Sequence, residues 1–299
     1  MRSLLTGVSI LVVCTLLFGC AAPVSTGDKG GVAGKVGEEL ERGNIIYRLT
    51  DDTLAGGAFD LEPLALTQAQ LTALDALVAE HPESSFQKNE DGTFWYDDAA
   101  CSGADASTGM TMTQAEAIEK AESVLSSLHL LPEQEYITQA SAVSRAASTD
   151  LGEGFGNSVV VSYTVRFSLS YKGLPVVCAP HHYSGITVEI TDKGVASIYY
   201  RWCKLISLED ISTDNFISAE TAFEAYEATQ FGSYRMTDTR LTSPSLTPEM
   251  QRQWRTVAYQ QVYVYDGEQS RPAWMFHESK KLFLNAIYID AVTGTEFEI

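Results

Sequence analysis

The chain has 299 residues, which is enough for about two domains of ordinary size. Apolar residues make up 45% of it and charged residues 20%, a composition that supports a packed core and excludes wholesale disorder. Acidic residues outnumber basic residues 39 to 20, so the net charge is −19. A surface this acidic repels phosphate backbones, and we expect no nucleic-acid partner.

The first twenty residues have the pattern of an exported bacterial lipoprotein. A short basic start at Arg2 precedes the apolar stretch Leu4–Phe18, which is shorter than the roughly 20 residues that a membrane-spanning helix needs. The segment Leu17-Phe18-Gly19-Cys20 resembles a lipobox, which implies a signal peptide over residues 1–20 and a diacylglycerol group on Cys20. That lipid would anchor the protein to the outer face of the cell membrane. A plain secretory signal or a short N-terminal anchor is the alternative.

Three cysteines follow Cys20 in the sequence: Cys101, Cys178 and Cys203. An odd number allows at most one internal disulfide. We expect Cys178 and Cys203 to pair, because both lie at the ends of strand-like runs, and three free thiols are the alternative. The spacing contains no CxxC motif and no Cys/His cluster typical of zinc, so the sequence predicts no metal site and no cofactor.

The chain after the leader begins with a tether and a small α+β segment. Residues 21–43 are rich in Gly, Ser, Ala and Thr, which predicts a flexible tether. The segment over residues 44–110 should contain a strand at 44–49, a helix over 67–80 that begins with a capping box, and a short strand at 93–96.

The next segment, residues 111–212, shows the clearest pattern in the sequence. A second capping box predicts a helix over 113–129. Apolar residues from Val159 to Tyr171 then alternate with polar residues from Ser162 to Lys172, and a hairpin around Gly194 follows. A hydrophobic period of two residues over this length indicates an antiparallel sheet with one buried face and one solvent-exposed face.

The same order recurs in residues 213–299, with a helix over 218–230, an aromatic strand over 257–265 and a closing hairpin at Gly294. We interpret the two segments as a diverged duplication of one helix packed on a four-strand antiparallel sheet, which is an α+β fold. The sheets should cover residues 159–203 and 257–299. Chance similarity of two α+β segments is the alternative.

The closing motif of the chain resembles that of a known family. Its pattern is Pro-Ala-Trp followed by Asp-Ala-x-Thr-Gly, here Pro272-Ala273-Trp274 and residues 290–294. It is similar to PepSY-like domains and to extracytoplasmic regulators of the YycH and YycI type, over roughly residues 111–299. The resemblance implies a binding or inhibitory module without catalytic residues. Those regulators carry an N-terminal membrane helix, whereas this chain has a lipobox-like segment.

The sequence offers little that is typical of catalysis. None of its five histidines lies in an HExxH motif, and we expect His181 and His182 to be exposed loop residues. His277 and Glu278 are adjacent in a predicted strand and should point to opposite faces, which excludes an acid–base pair. Residues 87–98 partly imitate a calcium loop but lack its first aspartate and final glutamate, so we expect a turn.

The strongest candidates for partner contact are aromatic side chains in the two sheets. Most should lie in the core, but those on an open face would bind a protein or peptide partner. The candidates are Tyr199, Tyr263 and Tyr265. The sequence therefore predicts a lipid-anchored extracytoplasmic binding or regulatory module that is not an enzyme. The alternatives are a cell-envelope hydrolase with an unrecognised site and a glycan-binding protein. Exposed coplanar aromatic side chains would favour the glycan-binding protein.

Overall fold

The structure is a computed structural model that describes residues 35–102, 109–146, 158–178, 184–278 and 286–297. Cys20, His181 and His182 lie outside the described residues, so the predictions about them stay predictions. Across the described ranges, no helix is both long enough and apolar enough to cross a bilayer.

The described residues form a mixed α+β fold, which confirms the predicted fold class. The predicted helices at 67–80, 113–129 and 218–230 are confirmed, each within about two residues at its ends. The elements in chain order are β1 Glu39–Arg42, β2 Ile45–Leu49, β3 Ala58–Pro63, α1 Gln68–Glu80, β4 Ser84–Lys88, β5 Phe94–Asp98, α2 Gln114–Ser127, β6 Tyr136–Ala146, β7 Ser158–Tyr171, β8 Leu174–Cys178, β9 Gly185–Thr191, β10 Gly194–Arg201, β11 Cys203–Glu209, α3 Ala219–Ala228, α4 Gln230–Thr237, α5 Pro248–Arg255, β12 Thr256–Tyr265, β13 Ser270–Glu278 and β14 Ile287–Asp290.

The described chain divides into two compact units. Unit 1 comprises residues 62–170 and 184–204, and unit 2 comprises 35–61, 171–178 and the chain from 205 onward. The predicted segment 44–110 is therefore divided between them, because β2 pairs with β12 in unit 2 whereas β5 pairs with β10 in unit 1. The predicted tether also ends early, since β1 already pairs with β2 in an antiparallel hairpin.

The described residues of unit 1 form six strands of a wholly antiparallel sheet, in the order β6-β7-β9-β10-β5-β4. Helix α2 lies against β6 and β9 and buries Ala117, Ala121 and Leu125. Helix α1 buries Leu74. Every second residue of the strands faces this core, and the remaining side chains form the opposite surface, which we call the open face of unit 1.

Unit 2 is built around β12. This strand runs antiparallel to β13 on one side and parallel to β2 and β8 on the other, and β13 pairs in turn with β14. Helix α3 packs on the sheet through an aromatic cluster. The buried members of that cluster include Tyr47, Phe223, Tyr226, Tyr259, Trp274 and Phe276.

The two units share an order of elements that supports the predicted duplication. In unit 1, α2 is followed by the meander β6-β7-β9-β10, and in unit 2, α3 is followed by β12-β13-β14 and a single bridge from Ile289 to Glu296. Gly194 and Gly294 each lie in the last hairpin turn of their own segment, with φ angles of 152° and 74° that other residues rarely adopt. Strand β6 and the helices α4 and α5, which separate α3 from β12, were not predicted from the sequence.

Candidate functional site

The open face of unit 1 carries an exposed aromatic pair. Trp95 on β5 lies directly opposite Tyr199 on β10, with ring centroids 5.2 Å apart and ring planes inclined by 50°. Trp95 is 37% exposed, and Tyr199 is half-buried. The row of paired residues that crosses the face at this point is Gln139, Arg166, Thr187, Tyr199, Trp95 and Gln87.

Strand alternation places these two rings outward. Along β10, Ile198 and Tyr200 are buried while Tyr199 between them is not, and along β5, Phe94 and Tyr96 are buried on either side of Trp95. The aromatic side chains of neighbouring positions thus serve different purposes. The inward ones build the core, and the outward pair stands among hydroxyl, amide and charged side chains, of which Arg201 hydrogen-bonds to Tyr199.

The structure separates the three predicted contact residues. Tyr199 lies on the open face of unit 1. Tyr263 is fully buried in unit 2 and donates hydrogen bonds of 3.0 Å to the carbonyl oxygens of Ala55 and Gly56, so its predicted exposure is wrong. Tyr265 is half-buried at the end of β12 and donates to the Gly267 carbonyl at 3.1 Å.

Trp95 was missed by the sequence analysis, although the signal was present. The sequence Phe94-Trp95-Tyr96 gives three consecutive aromatics in one strand. Because side chains alternate between the two faces of a strand, Trp95 must point to the face opposite that of Phe94 and Tyr96. With Phe94 and Tyr96 in the core, Trp95 is the ring left on the outer surface.

The expected disulfide is not formed. The three cysteines in the described part of the chain are thiols, and no disulfide joins Cys178 to Cys203. Cys178 ends β8 opposite Tyr265 in unit 2, whereas Cys203 belongs to unit 1 and its backbone amide donates to Ser184 Oγ at 3.1 Å. Burial raises the pKa of the Cys203 thiol.

A second cluster of polar groups lies at the end of the β4–β5 hairpin. His81 Nδ1 is 2.8 Å from Asp98 Oδ2, and the Cys101 thiol lies beside them and donates to the Lys193 carbonyl oxygen at 3.7 Å. The side-chain ligand atoms of His81, Asp98 and Cys101 all lie within 4.8 Å of one another. Asp98 is 1% exposed and Cys101 6%, whereas the His81 side chain is 39% exposed.

Local backbone structure brings these three residues together. His81 caps the end of α1, and its carbonyl accepts from the Ser84 amide at the start of β4. Ser84 pairs across the hairpin with Asp98. Asp98 then closes the following turn, because its carboxylate accepts from the Ala100 amide and its carbonyl accepts from the Cys101 amide. No fixed spacing in the sequence indicates that these three side chains lie together.

The electrostatics of the cluster centre on Asp98. Burial alone would raise the pKa of this carboxyl, but the neighbouring Cys101 thiol, the hydrogen bond from the Ala100 amide and His81 hold the pKa below its usual value. Burial and the neighbouring Asp98 raise the pKa of the Cys101 thiol, and these effects outweigh the charges of Lys120 and Lys193. The thiol is therefore protonated at neutral pH, unlike the thiolate that a nucleophilic cysteine needs.

The two other motifs singled out in the sequence have structural partners. His277 is buried, with Nδ1 3.1 Å from the Glu278 carbonyl oxygen, while the Glu278 carboxylate pairs with Arg235 at 2.8 Å. The calcium-loop-like segment is the turn of the β4–β5 hairpin, in which Asp91 accepts from the Thr93 amide at 3.0 Å.

Comparison with known proteins gives a short result. No family model matches the chain, and no curated protein matches it. Among solved structures, YycH from Bacillus subtilis is similar at 10% identity and a TM-score of 0.41, over 81% of this chain and 55% of that one. The C-terminal domain of Bacillus megaterium YpeB is similar at 11% identity and a TM-score of 0.34, over 78% and 96% of the two chains.

The chain thus spans about half the length of the YycH chain that it matches. YycH is one of the two regulator types that the closing sequence motif resembles. At identities near 10%, we argue function from the residues of the chain itself.

Proposed function

We propose that the protein is a lipid-anchored extracytoplasmic module that binds a segment of a partner protein on the open face of unit 1, and that it acts by binding rather than by catalysis. The observation that carries the proposal is the Trp95–Tyr199 pair on an otherwise polar sheet face. The anchor is the lipid expected on Cys20.

The composition of the face favours a protein ligand. Trp, Tyr and Arg are the residues that most often dominate binding energy in protein interfaces, and small hydroxyl and amide groups provide adaptable hydrogen bonds around them. Trp95, Tyr199 and Arg166 lie in one row here, with Thr187 between Arg166 and Tyr199. A glycan-binding platform would instead present coplanar rings, and these two rings are inclined by 50°.

The sheet edge favours a partner segment in an extended conformation. In the described part of unit 1, β4 is an end strand that pairs only with β5, and Ser85, Gln87 and Lys88 along it are exposed. A strand added to this edge would form backbone hydrogen bonds and run beside the row that contains Trp95. We therefore propose an extended peptide segment with a large apolar side chain as the ligand.

The polar cluster does not favour the hydrolase alternative. A catalytic cysteine is activated by a base that contacts its sulfur. In this cluster the Cys101 thiol donates to the Lys193 carbonyl oxygen at 3.7 Å, His81 contacts Asp98 instead, and the pKa of the thiol is raised rather than lowered.

The proposal is tested by site-specific photo-crosslinking in native membranes. A photoreactive amino acid at position 95 should capture a discrete protein segment, whereas the same probe at Glu119, on the exposed side of α2, should not. The captured segment is then synthesised as a peptide. Trp95→Ala should weaken its binding about thirtyfold or more, since hot-spot truncations cost about 2 kcal/mol or more.

Tyr234→Ala is the matched control, because Tyr234 is an exposed aromatic residue of unit 2. Equal cross-linking from positions 95 and 119, or peptide binding unaffected by Trp95→Ala, would show that the open face of unit 1 is not the binding surface. The anchor is tested separately with Cys20→Ala, which should abolish partitioning into the detergent phase. Unchanged partitioning would contradict lipidation.

A further inference from the structure

We propose that His81, Asp98 and Cys101 form a binding site for one divalent transition-metal ion of the zinc type. The three side chains offer one imidazole nitrogen, one carboxylate oxygen and one sulfur, and these atoms lie within 4.8 Å of one another. The site lies at one end of the β4–β5 hairpin and is independent of the proposed partner surface.

The donor set selects the class of ion. Calcium and magnesium ions are bound almost entirely by oxygen atoms, whereas sulfur and imidazole ligands favour zinc and its neighbours. Zinc is commonly held by three protein ligands and a water molecule, and its bonds to nitrogen and sulfur measure about 2.0–2.3 Å. Ligand atoms separated by 4.8 Å or less can converge on such an ion after small side-chain rotations, chiefly of the exposed His81.

The burial of the site makes it more than a surface cluster. Asp98 and Cys101 are almost fully enclosed, and the half-exposed His81 gives the ion a route from solvent. Asp98 is held in place by the Ala100 amide at 2.9 Å, and the Cys101 carbonyl accepts from Thr191 Oγ1 at 3.0 Å. Two of the three ligands are thus fixed by contacts that metal binding need not disturb, which is the preorganisation that tight sites share.

Ion binding changes the protonation of the cluster in a balanced way. The Cys101 thiol loses its proton to solvent as the sulfur–metal bond forms. The hydrogen bond between His81 Nδ1 and Asp98 Oδ2 is replaced by bonds from both atoms to the ion, and the Nδ1 proton moves to Nε2. Lys120 and Lys193 are close enough to stabilise the resulting anionic sulfur.

The experiment uses Co²⁺ as a spectroscopic probe of the purified protein, followed by displacement with Zn²⁺. We expect one equivalent of Co²⁺ to bind with the near-ultraviolet charge-transfer absorption of a thiolate ligand. Cys101→Ser should abolish that absorption. His81→Gln should weaken Zn²⁺ binding about tenfold or more, because even the loss of a supporting hydrogen bond to a ligand costs that much.

The matched controls are Cys178→Ser and His129→Asn, which replace a cysteine and a histidine elsewhere and should leave the absorption and the affinity unchanged. Thermal unfolding in chelator checks that each variant is folded, and His81→Gln protects the test if Cys101→Ser disturbs the buried turn. Absence of thiolate absorption in the wild type, or wild-type affinity in both cluster variants, would overturn the site. Loss of absorption in Cys101→Ser with full Zn²⁺ affinity in His81→Gln would overturn the three-ligand arrangement.

Discussion

The sheets of the two units differ in how they use their faces. In unit 1, β10 alternates buried residues such as Ile198 and Tyr200 with accessible ones such as Tyr199. In unit 2, β12 is buried at nearly every position, whichever face the side chain points to. Strands with neighbours on both sides and cover on both faces read as continuous apolar runs. An exposed aromatic platform is thus available in unit 1 but not along β12.

The largest expected difference between the units is in the cost of removing a tyrosine. Tyr263→Ala should lower the free energy of unfolding by about 3–5 kcal/mol, because it empties a fully enclosed ring site in unit 2. Tyr199→Ala on the open face should cost less than about 1 kcal/mol. Chemical denaturation of both variants measures the contrast.

Tyr263→Phe is the control for that contrast, since it keeps the ring and removes only the hydrogen bonds to Ala55 and Gly56. Similar losses for Tyr199→Ala and Tyr263→Ala would show that the two faces do not differ in burial.

A second contrast concerns polar residues. Gln261 is fully buried in β12 and exchanges two hydrogen bonds with the backbone of Ala55, at 3.0 Å from its amide and 2.7 Å to its carbonyl. Gln261→Ala should cost about 2–3 kcal/mol, because the buried Ala55 amide loses its partner and the Ala55 carbonyl keeps only the bond from Tyr263. Gln87→Ala on exposed β4 should be neutral within about 0.5 kcal/mol. Thermal unfolding compares the two, and equal losses would contradict the distinction.

How far the sequence predicts these differences depends on which signal a segment carries. The capping boxes at Thr67 and Thr113 fix the starts of α1 and α2, because a cap is a local property of four residues. The alternation in β7 likewise predicts a one-sided sheet.

In β12 the sequence is apolar at both parities, with Tyr259 and Tyr263 on one and Val262 and Val264 on the other. That pattern is typical of two-sided burial. The prediction that Tyr263 is exposed did not use this signal and is wrong.

The polar cluster illustrates the other limit. His81 and Asp98 meet because β4 and β5 pair in one register, and Cys101 joins them because Asp98 closes a turn. Register and turn geometry are tertiary properties, so a search for zinc-like spacings does not find these residues. The division of residues 44–110 between two units cannot be predicted from the sequence for the same reason, since it depends on long-range pairing of β2 with β12.

A third prediction compares buried and exposed histidines. Burial lowers the pKa of His277 below the 6.5 of an exposed imidazole, so at pH values below about 6.5 the unfolded chain binds a proton that the folded chain does not. Stability from this residue is complete above that pH and is lost as the pH falls toward the folded pKa, by at most about 1.4 kcal/mol per pH unit.

Thermal unfolding measured between pH 7.5 and 5.5, on either side of the ordinary histidine pKa of about 6.5, tests this effect. His277→Gln should flatten the pH dependence, whereas Gln87→Ala on exposed β4, which removes no titratable group, should leave it unchanged. An identical slope in wild type and His277→Gln would mean that His277 titrates alike in both states.

The smallest expected effect distinguishes the two corresponding helices. Thr113 Oγ1 accepts from the Glu116 amide at 3.3 Å while the Glu116 carboxylate accepts from the Thr113 amide at 2.8 Å, so α2 begins with a reciprocal box. In α3, Ser218 Oγ accepts from the Thr221 amide at 3.1 Å without a carboxylate in return. Removing either cap should cost about 1 kcal/mol.

Added salt should change the stability that one cap contributes and leave the contribution of the other cap unchanged. Both helices have a dipole, and α3 also carries an acidic residue, Glu220, in its first turn, but of the two capping hydroxyls only that of Thr113 donates to a carboxylate, that of Glu116, at 2.8 Å. Mobile ions screen such a charged hydrogen bond at an exposed position. The stability lost in Thr113→Ala should therefore shrink as salt is added, whereas the loss in Ser218→Ala should not. Ser126→Ala, an exposed substitution near the end of α2, controls for helix propensity. If both cap variants respond to salt alike, the carboxylate adds nothing to the hydroxyl cap, and the helices of the two units begin in physically equivalent ways.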